Sequence, residues 1–171
     1  MRYIMKFGGT SVANGGYVRI TDILQSFRPE HEVVAVVSAI KGVTDRLLEI
    51  TKAAERGDEQ AVNDFIVWMK ELHREEAKRA IGTLPLELDE ALSRADRELE
   101  HVLYGILHLR EATPRSVDYV ASFGEKYSAL ILSAVLNSRG IKSRAFSGGD
   151  AGITTDDAYG CLLYTSPSPR D

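Results

Sequence analysis

The hydrophobic positions change from a strand pattern to a helix pattern early in the chain. Residues 2–7 form a short apolar run, which Gly8 and Gly9 interrupt. Apolar residues then recur at roughly helical spacing up to Pro29, which predicts a helix. Residues 33–37 form a continuous and mostly β-branched run, typical of a parallel strand buried on both faces. Together these segments predict a βαβ unit, whose crossover is right-handed in nearly all proteins.

The middle of the chain follows a different pattern. From about residue 44 to residue 112, apolar positions recur at helical spacing and no strand pattern is present. Glycine-containing breaks at 57–58 and 82–85 divide this region into three predicted helices. Charged residues occupy the outward positions, as on the solvated face of an amphipathic helix. We therefore predict an α/β fold with a helical insertion at about 44–112.

A further helical region follows the insertion. Thr113-Pro114 is a helix-start signal, with threonine as the cap and proline at the first helical position. Apolar spacing continues to Arg139-Gly140, where glycine ends the helix, and Gly124 is expected to divide the region in two. The sequence of residues 143–147 predicts another short strand.

Composition and charge narrow the function classes. The chain has 171 residues, of which 44% are hydrophobic and 27% are charged, and its formal net charge is −4. This mild acidity favours a soluble protein and argues against nucleic acid or an anionic membrane as partner. The single cysteine, Cys161, excludes an intramolecular disulfide and a zinc cluster. The first residues read directly into a strand, so we expect no signal peptide and a cytoplasmic location.

The segment Lys6-Phe7-Gly8-Gly9-Thr10-Ser11-Val12 carries the clearest chemistry. Its two glycines let the backbone approach an anion and present N–H groups to it. Lys6 is a compact cation that can reach phosphate oxygens, and the following helix would add its N-terminal dipole. The glycine spacing differs from that of a P-loop and of a dinucleotide fingerprint. On spacing alone, phosphate binding and a tight structural turn are equally open.

As a whole string, this segment resembles the opening of aspartate kinases, within the amino-acid kinase family. Three further segments resemble the family in order and spacing: residues 36–45, with Val-Val-Ser-Ala and Gly-Val-Thr-Asp; Ser122-Phe123-Gly124-Glu125; and residues 154–160. The resemblance covers about residues 2–160. It implies that residues 1–160 are the N-terminal, amino-acid-binding part of an amino-acid kinase domain, with a mainly parallel sheet flanked by helices.

The resemblance also implies a reaction. Aspartate kinases transfer the γ-phosphate of ATP to the β-carboxylate of L-aspartate, giving 4-phospho-L-aspartate, the first step towards lysine, threonine and methionine. It implies Mg²⁺-ATP and L-aspartate as ligands and a homo-oligomeric full-length protein. Lys6 would be the catalytic cation. The implied phosphate-binding residues are Lys6, Gly8, Gly9, Thr10 and Ser11, and the implied aspartate-binding residues are Ser38, Ala39, Thr44 and Glu125, of which Glu125 would bind the substrate ammonium.

Taken singly, these residues have simpler explanations. Ser38 alone is better explained as a cap at a strand end, and Glu125 alone as an ion-pair partner of Lys126 or Arg115. The four histidines show no complete metal-ligand set, so no metal site is predicted. The acidic pair 156–157 suggests Mg²⁺ ligands, although an ordinary acidic loop explains it as well.

The similarity ends after Gly160. Residues 161–171 contain two prolines and no apolar periodicity, and we expect a disordered or non-native tail. We therefore expect a fragment of a longer kinase that is inactive alone. Three alternatives remain. The first is a kinase acting on acetylglutamate or glutamate, and the second is a non-catalytic ligand-binding or assembly module with the hairpin 58–110 as its interface. The third is a parent fused to homoserine dehydrogenase.

Overall fold

The computed structural model describes residues 1–27, 31–153, 155 and 158–159 of the protein. Two parallel strands and the first two helices form the βαβ unit that the sequence predicted, with Phe7 opposite Val37 at the end of the sheet. The described elements, in chain order, are β1 (Arg2–Phe7), α1 (Gly9–Val12), α2 (Gly16–Phe27), β2 (Glu32–Val37), α3 (Val43–Glu55), α4 (Glu59–Ile81), α5 (Leu86–Leu109), α6 (Pro114–Ala121) and α7 (Phe123–Ser138).

The two-stranded sheet is covered on one face only. Side chains alternate along β1 and β2 between a half-buried position and an exposed one. The exposed positions include Ile4, Val34 and Val36, which keep 75%, 47% and 45% of their surface accessible. The prediction that β2 is buried on both faces is therefore wrong. Its continuous apolar run does not mean two covered faces here, because the described helices pack against one side of the sheet.

The predicted helical insertion is confirmed as α3, α4 and α5. The side chain of Asp58 caps α4 by accepting the backbone N–H of Ala61 at 3.1 Å. The helix ends at Gly82, whose φ of 89° is the left-handed conformation that glycine adopts most readily. The inward face of α5 packs on α3, α4 and α7, so the insertion shares one core with the rest of the chain.

The region after the insertion is also helical, as predicted. Thr113 caps α6 by accepting the N–H of Ser116 at 3.2 Å, and Pro114 occupies the first turn. The helical region is interrupted at Ser122, between α6 and α7. The sequence predicted this division two residues later, at Gly124. No helix of the described residues combines the length and the apolar character that a membrane span requires.

The strand predicted at 143–147 is absent. Asn137 takes both backbone groups of Ser143: its Oδ1 accepts the N–H at 3.0 Å, and its Nδ2 donates to the carbonyl at 3.1 Å. The Ser143 hydroxyl donates to the carbonyl of Ser133 at 2.9 Å. These bonds to α7 satisfy groups that a sheet ladder would otherwise use. The predicted tail, 161–171, lies outside the described residues.

Candidate functional site

The glycine turn begins where β1 ends. Gly8 is extended, with φ −76° and ψ 172°, and its carbonyl accepts the N–H of Ser11 at 2.9 Å. A Cβ built on Gly8 would meet no atom within 4 Å, so this part of the turn faces open space. Because α1 begins at Gly9, the first N–H groups of the turn lack partners within the helix. The turn therefore offers backbone donors to a ligand.

Gly9 has a packing role of its own. A Cβ at this position would lie 2.8 Å from the carbonyl oxygen of Ala39, which is closer than any normal contact. The Gly9 carbonyl also accepts the N–H of Lys41 at 3.2 Å. The sequence interpretation assigned this glycine to the approach of a ligand. In the structure, its missing side chain lets the turn touch the segment that follows β2.

Glu125 brings a third segment to the same place. It lies in the first turn of α7, and its Oε1 accepts the N–H of Ala39 at 3.1 Å across 86 positions of sequence. Gly124 permits the approach, since a Cβ there would lie 2.4 Å from the Ala39 Cβ. Ala39 is thus held between Gly9 and Gly124. Three segments that resembled one family in sequence meet at one residue.

The alternative partners considered for Glu125 are not used. Lys126 instead pairs with Glu98 of α5, which also accepts the hydroxyl of Tyr119. Burial alone would raise the pKa of Glu98, but the hydrogen bonds from Lys126 and Tyr119 outweigh it and lower that pKa. Among the described residues, no ion pair joins Glu125 to Arg115. The Glu125 carboxylate is exposed, and the Ala39 N–H is the only donor that it binds among the described residues.

The remaining phosphate-site candidates surround the turn. Lys6 is exposed on the uncovered face of β1, and no carboxylate of the described residues forms an ion pair with it. Thr10 and Ser11 are exposed in α1, which is only four residues long. The longer helix α2 begins at Gly16, so its dipole does not start at the glycine turn as expected.

The remaining aspartate-site candidates lie at the end of β2 and just beyond it. Ser38 is half-buried, and its N–H donates to the carbonyl of Phe7 at 3.0 Å, which extends the sheet pairing by one bond. Thr44 is partly exposed in the first turn of α3. The strand-end position of Ser38 therefore agrees with both sequence interpretations, the cap and the ligand contact.

The sequence analysis missed one residue that contacts this region. Glu76 of α4 accepts the backbone N–H of Gly15 at 2.9 Å, in the segment that follows α1. The two residues are 61 positions apart, and a glutamate in a charged amphipathic helix carries no local signal of such a contact. No group of three His, Cys, Asp or Glu side chains suited to a metal ion occurs among the described residues. The acidic pair 156–157 lies outside them.

A model of the amino acid kinase family matches residues 1–166. The chain belongs to the amino acid kinase family. Among curated members, it is 37% identical over 158 residues to aspartokinase 1, chloroplastic, of Arabidopsis thaliana, a match that covers 90% of this chain and 27% of that protein. It is 32% identical over 148 residues to the aspartokinase of Schizosaccharomyces pombe, covering 82% and 28%.

Solved structures confirm the kinase fold. The chain superposes on E. coli aspartokinase III in complex with aspartate and ADP with a TM-score of 0.68, at 23% identity, over 80% of this chain and 29% of that one. The complex of the same enzyme with lysine and aspartate gives a TM-score of 0.66 at 24% identity. This amino acid kinase chain therefore spans under a third of the length of these relatives, and its resemblance to aspartate kinases is confirmed.

Proposed function

We propose that this chain is the N-terminal, amino-acid-binding part of an aspartate kinase, which transfers the γ-phosphoryl group of ATP to the β-carboxylate of L-aspartate. The observation that carries the proposal is the hydrogen bond of 3.1 Å from the Ala39 N–H to Glu125. It joins the Ser-x-Gly-Glu segment to the end of β2, directly beside the glycine turn. The similarity to aspartokinases of plants and fungi supports the choice of substrate.

The glycine turn is the proposed phosphate-binding element. Gly8 and Gly9 would donate backbone N–H groups to phosphate oxygens, and Thr10 and Ser11 would add their exposed hydroxyls. Lys6 would neutralise the charge that develops on the transferring phosphoryl group. Phosphoryl transfer depends mainly on positioning and on charge stabilisation, and these groups supply both.

The end of β2 and the start of α7 form the proposed aspartate site. One oxygen of Glu125 accepts the Ala39 N–H, and its other oxygen accepts no hydrogen bond from the described residues. That free oxygen is suited to the α-ammonium of L-aspartate, because a carboxylate binds a cationic donor more strongly than a neutral one. Ser38 and Thr44 would donate their hydroxyls to the substrate carboxylates.

Mg²⁺ enters this scheme with ATP. The described residues hold no cluster of metal-ligating side chains, and Mg²⁺ in kinases commonly binds substrate phosphates with few protein ligands. When bound, the ion would neutralise phosphate charge. The protein groups of the turn would orient those phosphates through their N–H and hydroxyl donors.

We propose that the chain is inactive by itself. It spans 27% of its Arabidopsis relative, so we expect it to bind L-aspartate without completing phosphoryl transfer. Homo-oligomerisation is proposed for the longer protein only. Formation of aspartyl hydroxamate from ATP, L-aspartate and hydroxylamine by the purified chain would contradict the expected inactivity.

Calorimetry tests the substrate assignment. We expect L-aspartate to bind the chain. Glu125→Gln should weaken this binding by roughly 10- to 100-fold, because it removes one hydrogen bond to a charged group. Glu71→Gln is the matched control, because Glu71 is an exposed residue of α4 and is not among the proposed site residues. Tighter binding of N-acetylglutamate or glutamate would favour another kinase of the family. Absence of binding by all three ligands would favour a non-catalytic module.

A further inference from the structure

The helical insertion contacts the segment after α1 through one buried carboxylate. Glu76 lies in α4 and keeps only 5% of its surface exposed. Both of its oxygens are used: Oε2 accepts the Gly15 N–H at 2.9 Å, and Oε1 accepts from Nη1 of Arg79 at 2.7 Å. A buried carboxylate is costly unless it is paired and hydrogen-bonded. Its full pairing here identifies a built contact between the insertion and the segment after α1.

The partner of Glu76 is an unusual turn. Asn14 and Gly15 both have positive φ, 53° and 75°, so two successive residues adopt the left-handed conformation. This conformation is uncommon for a residue other than glycine and needs support from its surroundings. Glu76 satisfies the Gly15 N–H, and the Arg79 side chain packs on the same glycine, with its Cδ 3.4 Å from the position of a Gly15 Cβ. The α4 helix thus holds the turn from outside.

Gly16, the residue that follows this turn, contacts α1. A Cβ on Gly16 would lie 1.8 Å from the carbonyl oxygen of Ser11, so the two backbones are in direct contact. The Gly16 N–H also donates to the carbonyl of Ala13 at 3.0 Å. A displacement of Gly15 would therefore move Gly16, and with it the backbone of Ser11. The contacts form an unbroken path from Glu76 to the segment 10–11.

We propose that Glu76 is a positioning residue that fixes the segment 10–11 for phosphate binding. The proposal rests on the function proposed above for that segment, because only then does its position affect a ligand. Glu76 would act without touching the nucleotide, because both of its oxygens are already bound to Gly15 and Arg79. Through Glu76, the helical insertion would set the position of the segment 10–11.

Amide hydrogen exchange, measured by NMR on the 171-residue chain without ligand, tests the positioning directly. Glu76→Ala should speed exchange at Gly15 by roughly 10- to 100-fold, as expected when a hydrogen bond to a carboxylate is lost, and should shift the Ser11 amide resonance. Glu76→Gln keeps an acceptor for Gly15 and should give an intermediate change. Glu75→Gln, an exposed neighbour on α4, should match the wild type.

Two results would overturn the positioning. One is unchanged exchange at Gly15 and an unmoved Ser11 resonance in a folded Glu76→Ala protein. The other is an equal rise at Gly15 and at Leu103 in the core of α5, since this would show only a general loss of stability.

A titration with Mg²⁺-ATP separates this proposal from the proposed function. We expect Glu76→Ala to raise the Kd for Mg²⁺-ATP about tenfold, while Glu75→Gln leaves it unchanged. If wild type and Glu76→Ala bind Mg²⁺-ATP equally well, the control by Glu76 fails. If the wild type does not bind Mg²⁺-ATP while the Ser11 amide responds to Glu76→Ala, the phosphate-binding function fails and the structural control of the segment stands.

Discussion

Gly124 approaches Ala39 so closely that a Cβ built on Gly124 would lie 2.4 Å from the Ala39 Cβ. Val43 stands on the same side, with its Cγ1 3.3 Å from that position. All three residues are buried, so neither neighbour can move into solvent. The contact sets the distance between α7 and the end of β2, and thereby allows Glu125 to reach the Ala39 N–H.

Replacing Gly124 by alanine should therefore destabilise the chain. We expect Gly124→Ala to lower the free energy of unfolding by about 1–3 kcal/mol, the usual cost of overpacking a core. Urea denaturation measures this change. Gly105→Ala is the control, because Gly105 lies inside α5 and its Cβ would meet no atom within 4 Å. That variant should be neutral or more stable by up to about 1 kcal/mol. Equal effects of the two variants would contradict the close contact.

Local signals in the sequence were sufficient for most of the helices and for β2. Thr113 and Pro114 carry both the cap and the first-turn preference, and the structure uses both. The glycine turn was located correctly because two adjacent glycines that interrupt an apolar run indicate the end of a strand and a turn. Such features depend on neighbouring residues, so one sequence reveals them.

Contacts between distant segments were harder to predict. The pairing of Ala39 with Glu125 crosses 86 positions, and an alanine has no polar side chain to announce it; only the family resemblance brought the two together. The link from Glu76 to Gly15 had no signal of either kind. The apolar run of β2 predicted two covered faces, because side-chain periodicity reports hydrophobicity and does not report which layers are present.

A buried ion pair should contribute strongly to stability. The Asp96 carboxylate is 4% exposed, accepts the Tyr127 hydroxyl at 2.6 Å and pairs with Arg74 at 2.8 Å. We expect Asp96→Ala to cost about 3–5 kcal/mol, because it leaves a partly buried guanidinium without its buried partner. Thermal or urea unfolding measures the loss.

Asp89 is the matched control for Asp96. It pairs with the same Arg74 at 2.8 Å, but its side chain is 42% exposed. Asp89→Ala should cost at most about 1 kcal/mol, as for other solvent-exposed ion pairs. A cost for Asp89→Ala as large as that for Asp96→Ala would show that burial does not decide the strength of these pairs.

His73 should make the chain sensitive to acid. Its ring stacks on Tyr127 with centroids 4.3 Å apart, and its Nδ1–H donates to the Met69 carbonyl at 2.9 Å. Its Nε2 is buried with no partner in the described part of the chain. Burial lowers the pKa of His73 from 6.5 to about 4, while nearby Asp96 and Arg74 act on it in opposite directions.

The sign of the pH effect follows from this lowered pKa. Between about pH 6.5 and pH 4 the unfolded chain binds a proton at His73 and the folded chain does not, so stability falls as the pH falls through this range. At the lower end of this pH range, the lowered pKa of His73 has reduced the free energy of unfolding by about 3 kcal/mol. His73→Phe keeps the stacking and should remove this part of the pH dependence of unfolding. His101→Gln, at an exposed position, should retain it.

The uncovered face of the sheet can be tested with two neighbouring valines of β2. Val33 is half-buried against the helices, whereas Val34 points to the exposed face. Val33→Thr should lower the free energy of unfolding by about 1 kcal/mol or more, because it places a hydroxyl among apolar groups. Val34→Thr should change it by no more than about 0.5 kcal/mol, since its surroundings include solvent. Urea denaturation of both variants measures these changes. A loss of unfolding free energy for Val34→Thr as large as that for Val33→Thr would mean that the outer face of the sheet is covered in solution.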